Sequence, residues 1–193
     1  MRLIDRFGDE SLTIGDGPMP GSPEVSSLPV FDMLAYGAPT SDPLTDKGQF
    51  DRTYQVTLGN HFGFHEGQFQ LVHTINGEAS PHGTHYAVLP GESVRFVIDN
   101  QTDEFHSMHL HGQPFAVLKR EDTPVRGSPI HADSLLVGPR ERWEIAFQAD
   151  NPGVWMFHCH VLIHAAFGMV ATVSYPDLEG PFEMGTHSGN RPE

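Results

Sequence analysis

The chain of 193 residues contains one cysteine, Cys159, so no internal disulfide holds the fold and the redox compartment stays open. Lysine is almost missing: Lys47 and Lys119 are the only two among 11 basic residues, against 25 acidic ones. The resulting formal charge of -14 argues against a nucleic-acid partner, whose phosphates call for clustered Lys and Arg. No apolar run is long enough to span a bilayer, since the most apolar stretch, residues 161–173, is broken by His164. The opening MRLIDRFGDE is mixed and charged, so no signal peptide is visible. A soluble protein with no membrane partner is the expectation. Long amphipathic helices and internal repeats are also missing.

What is present divides into three parts. Residues 1–47 are rich in Pro, Gly and Ser and read as an extended arm or linker, with PVFDMLAY as its apolar anchor. Residues 177–193 read as an irregular tail. Between them, residues 48–176 carry short runs rich in β-branched and aromatic residues, cut by turn signals such as Asn76-Gly77, Pro90-Gly91 and Gly138-Pro139. Strands are expected at 54–58, 69–75, 85–89, 93–99, 114–120, 133–137, 142–147, 154–159 and 169–175, with one short helix over 161–167. Such a pattern predicts an all-β sandwich or barrel.

The 13 histidines are the compositional oddity, and their positions matter more than their number. In HSMHLHG, His109 and His111 are two apart, so in an extended strand they share a face while Leu110 turns to the core. In HCH, His158 and His160 share a face and Cys159 points the other way. Two such pairs on neighbouring strands put four imidazoles on one surface, an arrangement suited to a cluster of copper ions and poor for a core. A second set is His106, Cys159, His164 and Met169, which matches the trigonal His2Cys site with a long axial Met. An inert buried cysteine with Met169 as core filler is the competing reading. The remaining histidines, His61, His65, His73, His82 and His85, repeat neither spacing.

HSMHLHGQPFAVL, DSLLVGPRERWEI, NPGVWMFHCH and HAAFGM, with TINGEASP before them, make residues 50–176 resemble the multicopper oxidases of laccase and bilirubin-oxidase type. The resemblance is to their C-terminal cupredoxin domain, a Greek-key β-sandwich. It implies a type 1 copper held by His106, Cys159 and His164 with Met169 axial. It further implies a type 2 copper on His109 and a type 3 pair on His111, His158 and His160. Cys159, His158 and His160 would then carry the catalytic electron transfer, from oxidation of a small aromatic, phenolic reductant to reduction of O2 to water. In the family the trinuclear cluster takes eight histidines, and this chain offers four. The missing half is expected from a homo-oligomer with copper at its interface, or from the other domains of a larger oxidase. By the same resemblance the protein is expected to be periplasmic or secreted.

Two features qualify the expectation. The Cys159-to-His164 loop, Val161-Leu162-Ile163, lacks the carboxylate many members have there, so protons for O2 reduction must come from elsewhere. Asp133 is a candidate partner for a copper-bound imidazole. Two other functions stay open: a mononuclear blue-copper electron carrier without oxidase activity, and a nitrite-reductase-like cupredoxin. His160 and the short loop favour the oxidase.

Overall fold

The computed structural model describes residues 31–176, together with the strand backbone of residues 2–4 and 11–13. The tail expected over 177–193 lies outside the described residues. Met1–Asp32 and Met33–Glu193 form separate compact units. In the first, β1 (Arg2–Ile4) pairs antiparallel with β2 (Ser11–Thr13).

The second unit begins with a single 3-10 turn, Met33–Ala35. Leu34 in that turn is fully buried, and its carbonyl accepts the backbone N–H groups of Arg126 and Gly127. Asp42 accepts the backbone N–H groups of Leu44 and Thr45 and pairs with His131 at 2.7 Å. The unit therefore takes in residues 33–47, which the sequence pattern assigns to the arm. Two buried leucines, Leu34 and Leu44, and one capped turn tie that stretch to the sandwich, Leu44 packing on Ala116 and Ala146.

The remaining elements are β3 (Arg52–His65), β4 (Gln68–Ile75), β5 (His85–Ala87), β6 (Ser93–Asn100), β7 (His106–Leu110), β8 (Phe115–Arg120), β9 (Thr123–Pro124), β10 (His131–Ala132), β11 (Ser134–Val137), β12 (Arg142–Gln148), β13 (Val154–Cys159), α1 (Leu162–Ala166) and β14 (Val170–Ser174). One sheet runs β10-β8-β12-β6-β3-β4, with β9 added beside β8. The other runs β11-β7-β13-β14-β5. Most neighbours are antiparallel, but β3 pairs parallel with β6 and β14 parallel with β5. Such parallel pairs need crossover connections and cannot come from hairpins alone.

Alternation along the strands builds the core between the sheets. In β7, His106, Met108 and Leu110 are buried and alternate with Ser107 and His109. Phe96 on β6 is the hub, with ring centroids 4.8 Å from Tyr86, 5.4 Å from Phe147 and 5.2 Å from Phe157. Since Tyr86 and Phe157 belong to the five-stranded sheet, this aromatic group joins the two layers.

Each expected strand is found, with ends shifted by a residue or two except at β3. That strand continues through Gly59, Asn60, His61 and Gly63, residues of low strand propensity. Pairing with β4 from Leu58–Ile75 to His65–Gln68 holds it extended. Beyond Asn60 the hairpin leaves the sandwich behind. Phe62, Phe64 and Phe69, on the face that elsewhere carries Leu58 and Ile75 into the core, are 65–78% exposed. Replacing the hub, Phe96→Ala, is expected to lower stability by about 3–5 kcal/mol, read as a drop in denaturant midpoint.

Candidate metal centre

β7 and β13 lie side by side, with His109 opposite His158 and Met108 opposite Cys159. This register decides where each histidine goes. Residues of even number on β7 and odd number on β13 face the core, and their neighbours face outward.

Three donor groups meet on the inner side. His106 and Cys159 are fully buried, and His164, on α1, is 8% exposed. The two Nδ1 atoms of His106 and His164 are 3.1 Å apart, and the Cys159 sulfur lies 3.9 and 3.7 Å from them. Their outer ring nitrogens are turned away from the sulfur. The Thr102 hydroxyl donates to Asn100 Oδ1 and accepts from His106 Nε2 at 2.8 Å, which leaves the Nδ1 lone pair of His106 aimed at the cysteine. α1 is only five residues long, and the chain turns back at Gly168, whose φ of +114° suits glycine. A Cβ there would sit 2.6 Å from Ala79 Cβ and 2.8 Å from the His73 carbonyl. The turn brings Met169, fully buried, beside the set: its N–H donates to the His164 carbonyl, and its carbonyl accepts from Cys159 N–H.

Four imidazoles gather on the outer side. The ring centroids of His109 and His160 are 4.4 Å apart, those of His109 and His111 4.7 Å, and those of His158 and His160 5.1 Å. His111 Nε2 and His158 Nε2 approach to 2.9 Å. Nδ1 of His109 donates to the Asp133 carbonyl at 2.8 Å, and Nδ1 of His158 donates to the Cys159 carbonyl at 3.1 Å. Both rings thus present Nε2 to the group. The Asp133 carboxylate itself stands 3.8 Å from His109 Nδ1, so its contact to that ring runs through its backbone. Beside the four lies a cavity of about 450 Å³ lined by His109, His111, Gln113, Pro114 and Asp133.

Burial lowers the pKa of His106 to about 4, with the neighbouring His164 and His73 adding to the effect. His158 is also lowered to about 4, again mainly by burial. His164 is lowered by burial and by His73, while burial pushes the Cys159 thiol up. These imidazoles are therefore neutral near pH 7, the state in which a ring nitrogen can donate to a metal. A thiolate here requires a cation to take the proton's place.

A family model described as multicopper oxidase matches residues 51–179. The chain belongs to the multicopper oxidase family. Multicopper oxidase MmcO of Mycobacterium tuberculosis is 34% identical over 102 residues, covering 53% of this chain and 19% of that protein. Iron transport multicopper oxidase FET3 of Saccharomyces cerevisiae is 35% identical over 126 residues, covering 55% of this chain and 19% of that protein. The chain thus spans about a fifth of the length of these curated relatives. Among solved structures, the blue copper oxidase of Nitrosomonas europaea superposes with a TM-score of 0.61 at 25% identity, covering 74% of this chain and 49% of that one. The sandwich is the cupredoxin fold of this family.

Copper is the metal of multicopper oxidases, and the inner donors fit it. One soft sulfur and two imidazole nitrogens converge in a water-poor pocket, a donor set that suits copper. All eight candidate copper ligands named from the sequence fall into one of the two groups or adjoin them. His61, His82 and His85 are exposed and join no metal-competent group among the described residues. Sequence reasoning missed Thr102, Asn60 and Glu104, and left His73 unassigned. Glu104 accepts from Asn60 Nδ2 at 2.8 Å and His73 Nε2 at 3.1 Å, and the His73 ring stacks on His164 at 4.1 Å. The only signals for these were a carboxylate two residues before His106 and a histidine on the core face of β4.

The lowered imidazoles couple folding to pH with a defined sign. The unfolded chain takes up protons near pH 6.5, whereas folded His106 and His158 resist until about pH 4. The metal-free protein is therefore expected to lose stability as pH falls from 6.5 towards 4, by up to about 3 kcal/mol per histidine. Thermal unfolding at several pH values, with and without copper, measures this loss and its suppression by metal.

Proposed function

We propose that this chain is the electron-accepting domain of a laccase-type oxidase. The observation that carries the reading is the two-sided use of β13, where Cys159 turns into the buried donor triad and its covalent neighbours His158 and His160 turn into the outer four-histidine group. His106, Cys159 and His164 would hold the type 1 copper, with Met169 as a further candidate ligand beside them. His109 would hold the type 2 copper, and His111, His158 and His160 the type 3 pair. When bound, the coppers supply one-electron oxidation of a small phenolic reductant and four-electron reduction of O2 to water.

The protein's own contribution is placement. Thr102 fixes the tautomer of His106, and the Asp133 and Cys159 carbonyls fix those of His109 and His158. The peptide bonds on either side of Cys159 give a short covalent path from the inner group to the outer one. Burial keeps bulk water off His106 and His158, while His160 stays exposed on the outer face. That exposure is what a half-site needs, because four histidines must still come from another domain or from a second copy of the chain. An isologous pairing of two copies would bring four and four together. An exported location agrees with this reading.

Copper content, solution mass and spectra test the proposal together. Copper loading should give a strong thiolate-to-copper absorption that Cys159→Ser abolishes. In an assembly with a second histidine group, a near-ultraviolet type 3 band and oxygen uptake should appear. His158→Ala with His160→Ala should remove both and keep the blue colour. A monomeric mass with about one copper per chain would sink self-assembly, leaving completion by another domain.

A further inference from the structure

His111 follows Leu110, the last residue of β7, and its N–H still donates to the Met156 carbonyl of β13 at 2.9 Å. Continuing the register of Leu110 with Phe157 by two residues sets Gly112 opposite Trp155. Gly112 takes a φ of +66°, which ends the extended run. A Cβ on it would sit 2.4 Å from the Trp155 indole, and one on Gly153 would sit 2.5 Å from the same ring. The indole therefore occupies the space of a side chain at both glycines. It covers the end of the ladder as a cross-strand aromatic covers a glycine.

Asn151 closes the arrangement. Its side-chain amide donates to the Gly112 carbonyl at 2.9 Å, and its own carbonyl accepts from Trp155 Nε1 at 2.8 Å and from Gln113 Nε2 at 2.7 Å. Gln113, itself buried, also donates to the Tyr175 hydroxyl at 2.9 Å. The two residues after His111 are thus tied to the loop that leads into β13. Trp155 joins both sides, since it lies against Gly112 and stands on the strand that carries His158. The outer group shows what this clamp decides. His111 Nε2 comes within 2.9 Å of His158 Nε2, and His111 also lines the cavity of about 450 Å³. With open space beside it, the ring keeps its place only if the backbone beneath it cannot shift.

We propose that Trp155, held by Asn151, is a positioning residue for His111: its indole locks the Gly112 turn at the end of β7 and so fixes the His111 ring against His158. The consequence for metal binding rests on the reading of the outer group as copper ligands. A donor ring that wanders must be ordered at the moment of binding, and that lost freedom is subtracted from the affinity. Residues that orient a ligand from behind act on metal affinity in this way.

The test compares the metal-free chain with its Cu(II)-loaded form. Nitrogen-15 spectra of the imidazoles should give one set of His111 signals in the unaltered protein. Trp155→Ala should split or broaden that set and leave those of His106 and His164 unchanged. In Cu(II) titrations followed by electron paramagnetic resonance, the same variant should weaken non-blue binding by about tenfold while the blue site keeps its affinity. Trp155→Phe keeps a ring over Gly112 and should restore most of both properties. Asn151→Ala removes the side-chain bond to the Gly112 carbonyl and keeps the backbone acceptor for Trp155. It should move the His111 signals in the same direction by less, and it decides the matter if Trp155→Ala does not fold. Unchanged His111 signals in either folded variant, or changes spread equally over inner and outer rings, would overturn the proposal. An unaltered chain that takes up no non-blue copper would instead fell the copper assignment of the outer group, and the ring spectra would still judge Trp155.

Discussion

Crowding three lone-pair donors, two Nδ1 atoms and a sulfur, into a buried pocket works against folding of the metal-free chain. Each must be stripped of water, and the imidazoles must stay neutral beside one another. The rest of the domain compensates through apolar burial. The aromatic hub around Phe96 ties both sheets together, and the pocket sits between them. The cost is local and the compensation distributed, which is the usual arrangement for a preorganised metal site.

Polar support around the donor groups follows the same logic. His106 is not left with an orphan nitrogen: Thr102 takes its outer proton, and Asn100 takes the Thr102 hydroxyl while its own amide reaches the carbonyls of Glu104 and Gly138. One short loop thereby fixes the tautomer of His106 and the path of the chain into β7. On the outer face, main-chain carbonyls do the corresponding work for His109 and His158. Backbone acceptors cannot rotate away, so both rings are held by the sheet itself.

Much of this was legible in the sequence because strand alternation is rigid. A period of two sends Cys159 inward and His158 and His160 outward without any knowledge of tertiary structure. The spacing from Cys159 to His164 and Met169 marks the pocket in the same way. What could not be read was contact made across the fold. Asn60, His73 and Glu104 come from two strands and a loop, 44 and 31 positions apart, and no local pattern announces their meeting. The length of β3 was hidden for a related reason: glycine, asparagine and histidine there are held extended by the partner strand and not by their own preference. Leu34 and Leu44 show the third case, where isolated leucines in a turn-rich stretch find slots in the core and the folded unit extends to Met33.

The β3–β4 hairpin has a bearing on how the molecule behaves as a material. Its inner face continues the core stripe past the end of the sandwich, so Phe62 stacks on Phe69 and Phe64 meets Phe69 edge-on, all three exposed where a second sheet would otherwise lie. A greasy ledge of this kind makes concentrated solutions of the isolated domain sticky, and the surplus of acidic side chains over the rest of the chain is the force that keeps copies apart. Colloidal stability therefore depends on ionic strength: salt that screens the acidic repulsion leaves the phenylalanines to decide whether two molecules separate after they collide.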